Sequence, residues 1–291
     1  MPKNIQIAKS AGFCYGVKKA VETAKQLKID NPNKKIYILG ELIHNALVTK
    51  ELNELGIFTV DELPNDSNGA ICIIRSHGET PERIEEIKKA GFEIIDLTCP
   101  DVKKVQQKAI NLANEDYFII IIGKENHPEV IAIKANALSK TNNVLVINNE
   151  DEIEQHKEAL KAHKKIGVVI QTTQTIAHVQ EIINKLIPLA KELKIENTIC
   201  PSTSNRQKET LELAKASDLV IVIGSKTSAN TTHLAQICTP LTKTIHIETE
   251  NELDAYKDLI ENAQNISITA GASTPQNIIQ KVINKLEKEN I

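Results

Sequence analysis

Three cysteines, each at the foot of a similar stretch of sequence, constrain this chain more than any other feature. Cys14 lies in GFCYGVKKA, Cys99 in DLTCPDVKK and Cys200 in NTICPSTSNRQ. Each follows an apolar strand-like run or a glycine, and each opens a helix-like stretch. A second apolar run then ends in Gly40 (IYILGELIHN), Gly123 (FIIIIGKENHPE) or Gly224 (LVIVIGSKTSAN), 26, 24 and 24 residues after the cysteine. Past these glycines stand His44, His127 and Ser228. A third run brings His77 in ICIIRSHG, Thr173 in GVVIQTTQT and Ser273 in ISITAGASTP. The same signals in the same order, three times over, imply three structural repeats sharing one site.

The runs alternate between strand and helix periods, which predicts an α/β chain: three pseudo-equivalent domains with mainly parallel sheets around a central cleft. The expected repeats are residues 14–97, 98–199 and 200–291. The third is a strand short, and the strand-like Asn4–Ala8 within 1–13 is expected to complete it, so that the two ends of the chain meet. Pro81 and Gly91 bound a helix in the usual order of proline first and glycine last. Strands are expected at Glu93–Leu97 and Ile195–Ile199, delivering the chain to Cys99 and Cys200. Ligands of parallel α/β sheets bind beyond the carboxyl ends of the strands, where the repeated polar residues fall.

With 35 Lys and Arg against 38 Asp and Glu, the net charge is −3, so no basic field draws the chain to nucleic acid. Tryptophan is absent and aromatics make up 3%, leaving few platforms for stacking bases. The longest apolar run, near Tyr117–Ile122, is far short of the roughly 20 residues that span a bilayer, and MPKNIQIAKS lacks the apolar core of a signal peptide. The expected location is the cytoplasm, with no membrane partner. In that reducing compartment, cysteines at motif positions point to metal or catalysis rather than disulfides, and the odd total of five weakens a disulfide framework further. Cys72 and Cys238 lie outside the repeated position and read as small core hydrophobes.

A cysteine at a helix N-terminus is favoured as thiolate, the form that binds iron or zinc. Cys14, Cys99 and Cys200 are too far apart in sequence for a compact CxxC motif, so the ligands have to converge from three repeats. Three thiolates on a cubane cluster leave one iron open; spacing alone does not choose between iron–sulfur and zinc. Histidines, hydroxyls and helix N-terminal amides suit a phosphate or diphosphate. Asn230 and Thr231 read either as part of such a site or as caps of the helix that begins there. Glu129 reads as a proton donor or as a silent first-turn carboxylate. Thr172 and Thr173 either relay protons or end a strand.

Taken in order, GFCYGV, RSHG, TCP, HPE, TTQT, NRQ and GASTP resemble the LytB/IspH family of iron–sulfur reductases, the 4-hydroxy-3-methylbut-2-enyl diphosphate reductases, along essentially the whole chain. The resemblance implies a [4Fe-4S] cluster held by Cys14, Cys99 and Cys200, with one iron open to the allylic hydroxyl of the substrate. That hydroxyl would leave as water, giving isopentenyl and dimethylallyl diphosphates in the last step of the non-mevalonate pathway. By motif position His44, His77, Ser228, Asn230 and Ser273 hold the diphosphate. His127, Glu129 and Thr173 lie near the hydroxyl, with Glu129 feeding protons. Electrons would come from a donor of the ferredoxin or flavodoxin type. One departure stands out: the family loop usually has two serines before the asparagine, and here the second is Ala229. The rival readings are a zinc or iron hydrolase on the same cysteines and a cluster-bearing sensor, for which a basic face or helix-turn-helix is lacking.

Overall fold

The computed structural model describes residues 3–288. Among these residues twelve strands fall in three separate four-stranded sheets, and every pairing is parallel. In chain order β1 is Asn4–Ile7, β2 Ile36–Leu39, β3 Ile57–Val60, β4 Ile71–Ile74 and β5 Glu93–Asp96. Then come β6 (Phe118–Ile122), β7 (Val144–Ile147), β8 (Lys165–Ile170) and β9 (Glu192–Ile195). The last three are β10 (Leu219–Ile223), β11 (Lys243–Ile247) and β12 (Asn265–Ala270). The sheet orders are β3-β2-β4-β5, β7-β6-β8-β9 and β1-β12-β10-β11. Each centre is thus a pair of Ile- and Val-rich strands, buried on both faces as parallel strands must be. The first strand lies along the last: Asn4 faces Asn265 and Ile7 faces Ile268.

The helices are α1 (Tyr15–Asp30), α2 (Ala46–Glu54), α3 (Pro81–Lys89), α4 (Pro100–Asn114), α5 (Pro128–Leu138), α6 (Asp151–Gln155) and α7 (Lys157–Lys161). They continue with α8 (Ile176–Leu186), α9 (Pro201–Lys215), α10 (Ala229–Cys238), α11 (Lys257–Asn262) and α12 (Gln276–Lys288). On the sheet containing β6 and β8, Ile120, Ile122, Val168 and Ile170 pack with Val179, Ile182 and Leu186 of α8. The opposite face sets Ile119, Ile121 and Val169 against Val105, Ala109 and Leu112 of α4 and Val130 and Ile133 of α5. On the sheet with the terminal strands, Ile221, Ile223 and Ile268 meet Ile279, Val282 and Leu286 of α12. Cys72 and Cys238 are fully buried in such cores.

The strand expected at Ile195–Ile199 is displaced: β9 ends at Ile195. Thr198 is the reason. Its hydroxyl accepts the Ile170 N–H at 2.8 Å and donates to the Ile170 carbonyl at 2.5 Å, so a side chain takes the place that the ladder would occupy. β1 and β5 also stop one residue early, at Ile7 and Asp96. By packing, the chain forms two units, residues 1–21, 43–52 and 201–291, and residues 22–42 and 53–200.

Candidate functional site

Each of the three motif cysteines stands immediately before a helix, and the backbone fixes them alike. The N–H of Cys99 donates to the carbonyl of Ser76 at 2.9 Å, that of Cys200 to Thr172 at 3.0 Å, and that of Cys14 to Ala272 at 3.1 Å. Each acceptor belongs to the loop after β4, β8 or β12. The next residues in those loops are His77, Thr173 and Ser273, so one backbone bond ties each cysteine to a predicted site residue. The glycines repeat as well: Gly40, Gly123 and Gly224 donate to Val60, Ile147 and Ile247 at 2.8, 3.0 and 2.9 Å. None of the three cysteines is in a disulfide and all are partly exposed, whereas burial pushes the Cys72 and Cys238 thiols up to about 11. Accessible sulfurs at helix N-termini fit a thiolate-ligated metal group; the two core sulfurs do not.

In the unit of residues 22–42 and 53–200, Cys200 Sγ lies 2.9 Å from Asp101 Oδ2, two residues beyond Cys99. Here the thiol donates and the carboxylate accepts. Pro128 opens α5 and His127 caps it, with Nδ1 accepting the Glu129 N–H at 3.1 Å, so the ring proton sits on Nε2. The His77 ring stands edge-on to His127 with centroids 5.5 Å apart.

Glu129 is 1% exposed. Its Oε1 accepts the Thr172 N–H at 2.7 Å and its Oε2 the Thr172 hydroxyl at 2.8 Å. Burial pushes its carboxyl up to about 7; the Thr172 bonds oppose that rise and the charge of Asp101 adds to it. A carboxyl held there exchanges a proton near neutrality. The residue gripping Glu129 is therefore Thr172, while Thr173 accepts from the Gln171 amide at 3.2 Å. Gln171, fully buried, also accepts the Lys124 N–H at 3.1 Å and so links this loop to the one carrying His127.

In the other unit, Ser273 Oγ donates to the His44 carbonyl at 3.1 Å, and Asn45 Nδ2 donates to the Ser273 carbonyl at 2.9 Å. Asn45 Oδ1 meanwhile caps α2 through the N–H groups of Leu47 and Val48. Helix α10 starts at Ala229 with Ser228 as its N-cap, so Asn230 and Thr231 lie inside the first turn and do not cap it. Both are buried, yet neither polar atom of the Asn230 amide nor the Thr231 hydroxyl meets a hydrogen-bond partner among the described residues. Gly271 leaves the room that Thr231 fills, since a Cβ there would collide with the Thr231 hydroxyl. An amide buried without partners at a helix N-terminus is uncommon and fits a place made for an anion.

Comparison with known proteins decides the family. The family model described as LytB protein matches residues 5–287. The chain belongs to this family. A relative from Citrifermentans bemidjiense, named 4-hydroxy-3-methylbut-2-enyl diphosphate reductase, is 40% identical over 281 residues, covering 96% of this chain and 95% of that protein. One of the same name from Aquifex aeolicus is 38% identical, covering 98% and 96%. A Clostridium tetani protein of that name is 42% identical, and this chain spans 44% of its length. A solved reductase of this name, described as the terminal enzyme of the non-mevalonate pathway, superposes with a TM-score of 0.72 at 38% identity, covering 98% of this chain and 99% of that one. The Plasmodium falciparum enzyme, described as E-1-hydroxy-2-methyl-but-2-enyl-4-diphosphate reductase, superposes at 0.89 with 31% identity, covering 98% and 88%.

Asn45, Asp101, Gln171 and the Glu129–Thr172 contact were not legible as site features. Asn45 alone left a trace, as an asparagine just before a helix-like run in IHNAL. In QTTQT both threonines follow the same apolar strand, so the sequence offered nothing to say which of them turns toward Glu129.

Proposed function

We propose that the chain is a 4-hydroxy-3-methylbut-2-enyl diphosphate reductase that releases the allylic hydroxyl as water and yields isopentenyl and dimethylallyl diphosphates. The observation that carries this reading is the buried Glu129, clamped by Thr172 and poised near neutrality, in a chain of the LytB family.

Cys14, Cys99 and Cys200 are the proposed ligands of a [4Fe-4S] cluster, which fits three partly exposed cysteines outside any disulfide, each leading a helix. When bound, such a cluster supplies Lewis acidity and a path for electrons. The chain's own residues do the rest. His44, His77, Ser228, Asn230 and Ser273 bind the diphosphate, and the unpartnered Asn230 amide supports that assignment. His127 presents its Nε2–H, and Thr173 its hydroxyl, toward the allylic end. Glu129 holds the proton that leaves with the oxygen. Two electrons and two protons enter, the C–O bond breaks, one proton departs in the water and the other adds to either end of the allyl unit.

The three-repeat division into 14–97, 98–199 and 200–291, with 1–13 completing the third, belongs to the same reading; its support is that each repeat's strands share one sheet and β1 joins the last. We assign the electrons to a ferredoxin- or flavodoxin-type donor and the location to the cytoplasm. No described helix is long and apolar enough to cross a membrane. Ala229 offers the diphosphate only a backbone N–H, without the hydroxyl that the family resemblance leads one to expect there. Ala229→Ser is expected to tighten substrate modestly, by about fivefold in KM, for one added hydrogen bond. No gain contradicts this role for the loop. The reading itself is tested by assaying anaerobically purified protein for oxidation of reduced methyl viologen, which has to depend on the hydroxylated diphosphate. Turnover of the dye without it, or none with it, contradicts the assignment.

A further inference from the structure

Arg206, one and a half turns into α9, is 3% exposed, and no step above uses it. Its Nη1 donates to the carbonyl of Ala270 at 2.6 Å and its Nη2 to that of Gly12 at 2.9 Å. Gly12 lies in the loop before α1, and Ala270 is the last residue of β12. Gly12 stands two residues before Cys14, and Ala270 three residues before Ser273. Between them runs the Cys14 N–H bond to Ala272. One turn further along α9, Glu209 accepts the N–H groups of Lys9 and Ser10 at 2.7 and 3.0 Å and the Ser10 hydroxyl at 2.5 Å. Burial pushes the Glu209 carboxyl up, but its bonds to Ser10 and Lys9, with a smaller contribution from the charge of Arg206, outweigh that and hold it low.

We propose that Arg206 is a positioning residue that locks the Cys14 loop and the Ser273 loop into one register. It thereby couples the placement of a cluster ligand to that of a diphosphate ligand. This rests on the reductase reading. A buried guanidinium is expensive to desolvate, and the bonds of Nη1 and Nη2 to the two carbonyls offset part of that cost. Here the planar fork spans two carbonyls that no shorter or single-pronged cation reaches together. Gly12 adopts φ +97°, a left-handed conformation in which a side chain would also press on Ile279 and Gln276 at 3.2 and 3.3 Å. The turn is therefore shaped to bring the Gly12 carbonyl round to Arg206. Positioning errors near 1 Å lower rates by orders of magnitude, which gives such a clamp its value.

Arg206→Lys tests this, because it keeps the charge and much of the buried stem while losing the fork. In anaerobically loaded full-length protein, KM for the hydroxylated diphosphate is expected to rise about tenfold. The electron paramagnetic resonance signal of the reduced cluster is expected to change with it, while the melting temperature stays within a few degrees. A variant that keeps the wild-type KM and signal, whether or not it melts earlier, overturns the proposal. So does a change in only one of the two. If the wild-type protein itself binds no iron and reduces no diphosphate, the reductase reading fails, and hydrogen exchange then decides the coupling. Faster exchange at both the Cys14 and Thr274 amides in the variant upholds it; an unchanged rate at either overturns it.

Discussion

Glu129 and Thr172, 43 residues apart in sequence, meet through two hydrogen bonds: the backbone N–H of Thr172 binds one carboxyl oxygen at 2.7 Å and its hydroxyl the other at 2.8 Å. One threonine thereby fixes both the plane and the depth of a buried acid. A carboxyl so placed is a proton donor below about pH 7 and a base above it.

If Glu129 delivers the proton, kcat falls as pH rises through about 7. Glu129→Gln is expected to lower kcat by about 100-fold or more and to abolish that limb of the profile. The sign for stability is set by the same shift. Unfolded, the carboxyl ionises near 4.5; folded, near 7. Between these values the unfolded state releases its proton first, so the native state loses up to about 3 kcal/mol as pH rises across the window. Glu129→Gln escapes that loss, and its stability relative to wild type should grow from pH 4.5 to 7. Denaturant melts at pH 5 and pH 8 measure the difference.

Thr172→Val keeps the shape of the side chain and removes one of the two bonds. The lost hydroxyl bond was holding the Glu129 carboxyl down, so the limb in the pH profile moves above 7. A loss of about tenfold in kcat accompanies it, readable in the same steady-state assay. A limb that moves down, or stays, contradicts the clasp.

Asn230 predicts a trade of stability against affinity. Neither end of its buried amide has a partner among the described residues, so Asn230→Leu removes an unmet desolvation penalty and should stabilise the fold by about 1 kcal/mol. The same change should raise KM for the diphosphate about tenfold or more. Thermal melts and steady-state kinetics on one preparation read both effects.

The five cysteines divide by position. Cys14→Ser, Cys99→Ser and Cys200→Ser should each lower bound iron with little change in melting. Cys72→Ala and Cys238→Ala should retain iron and lose about 1–2 kcal/mol of stability, since both sulfurs are fully buried. Iron analysis alongside thermal melts separates the two groups.

The strands were legible because runs such as Phe118–Ile122 and Leu219–Ile223 are apolar at every position, and a parallel strand covered on both faces demands that. Pro81 marked a helix start because its fixed φ and missing N–H suit the first helical position. The end of β9 was not legible. Ile199 is again apolar after Glu196, Asn197 and Thr198, and only the long-range bonds of Thr198 to Ile170 show why the ladder stops at Ile195. The candidate site was legible where residues repeat, as with Cys14, Cys99 and Cys200. It was hidden where a partner comes from a distant loop. Thr172 for Glu129, Asn45 for Ser273 and Arg206 for Gly12 carry no periodic signal, because each contact is specified by packing and not by spacing.

The central claim is that three cysteines hold a cluster which serves reduction of an allylic diphosphate. Its most direct test is one anaerobic preparation, analysed for iron and sulfide and assayed for oxidation of reduced methyl viologen with and without the hydroxylated diphosphate. The account predicts a brown protein with close to four iron and four sulfide per chain, as a [4Fe-4S] cluster requires, and dye oxidation only when the diphosphate is present. A colourless protein carrying stoichiometric zinc, with no such turnover, would contradict it.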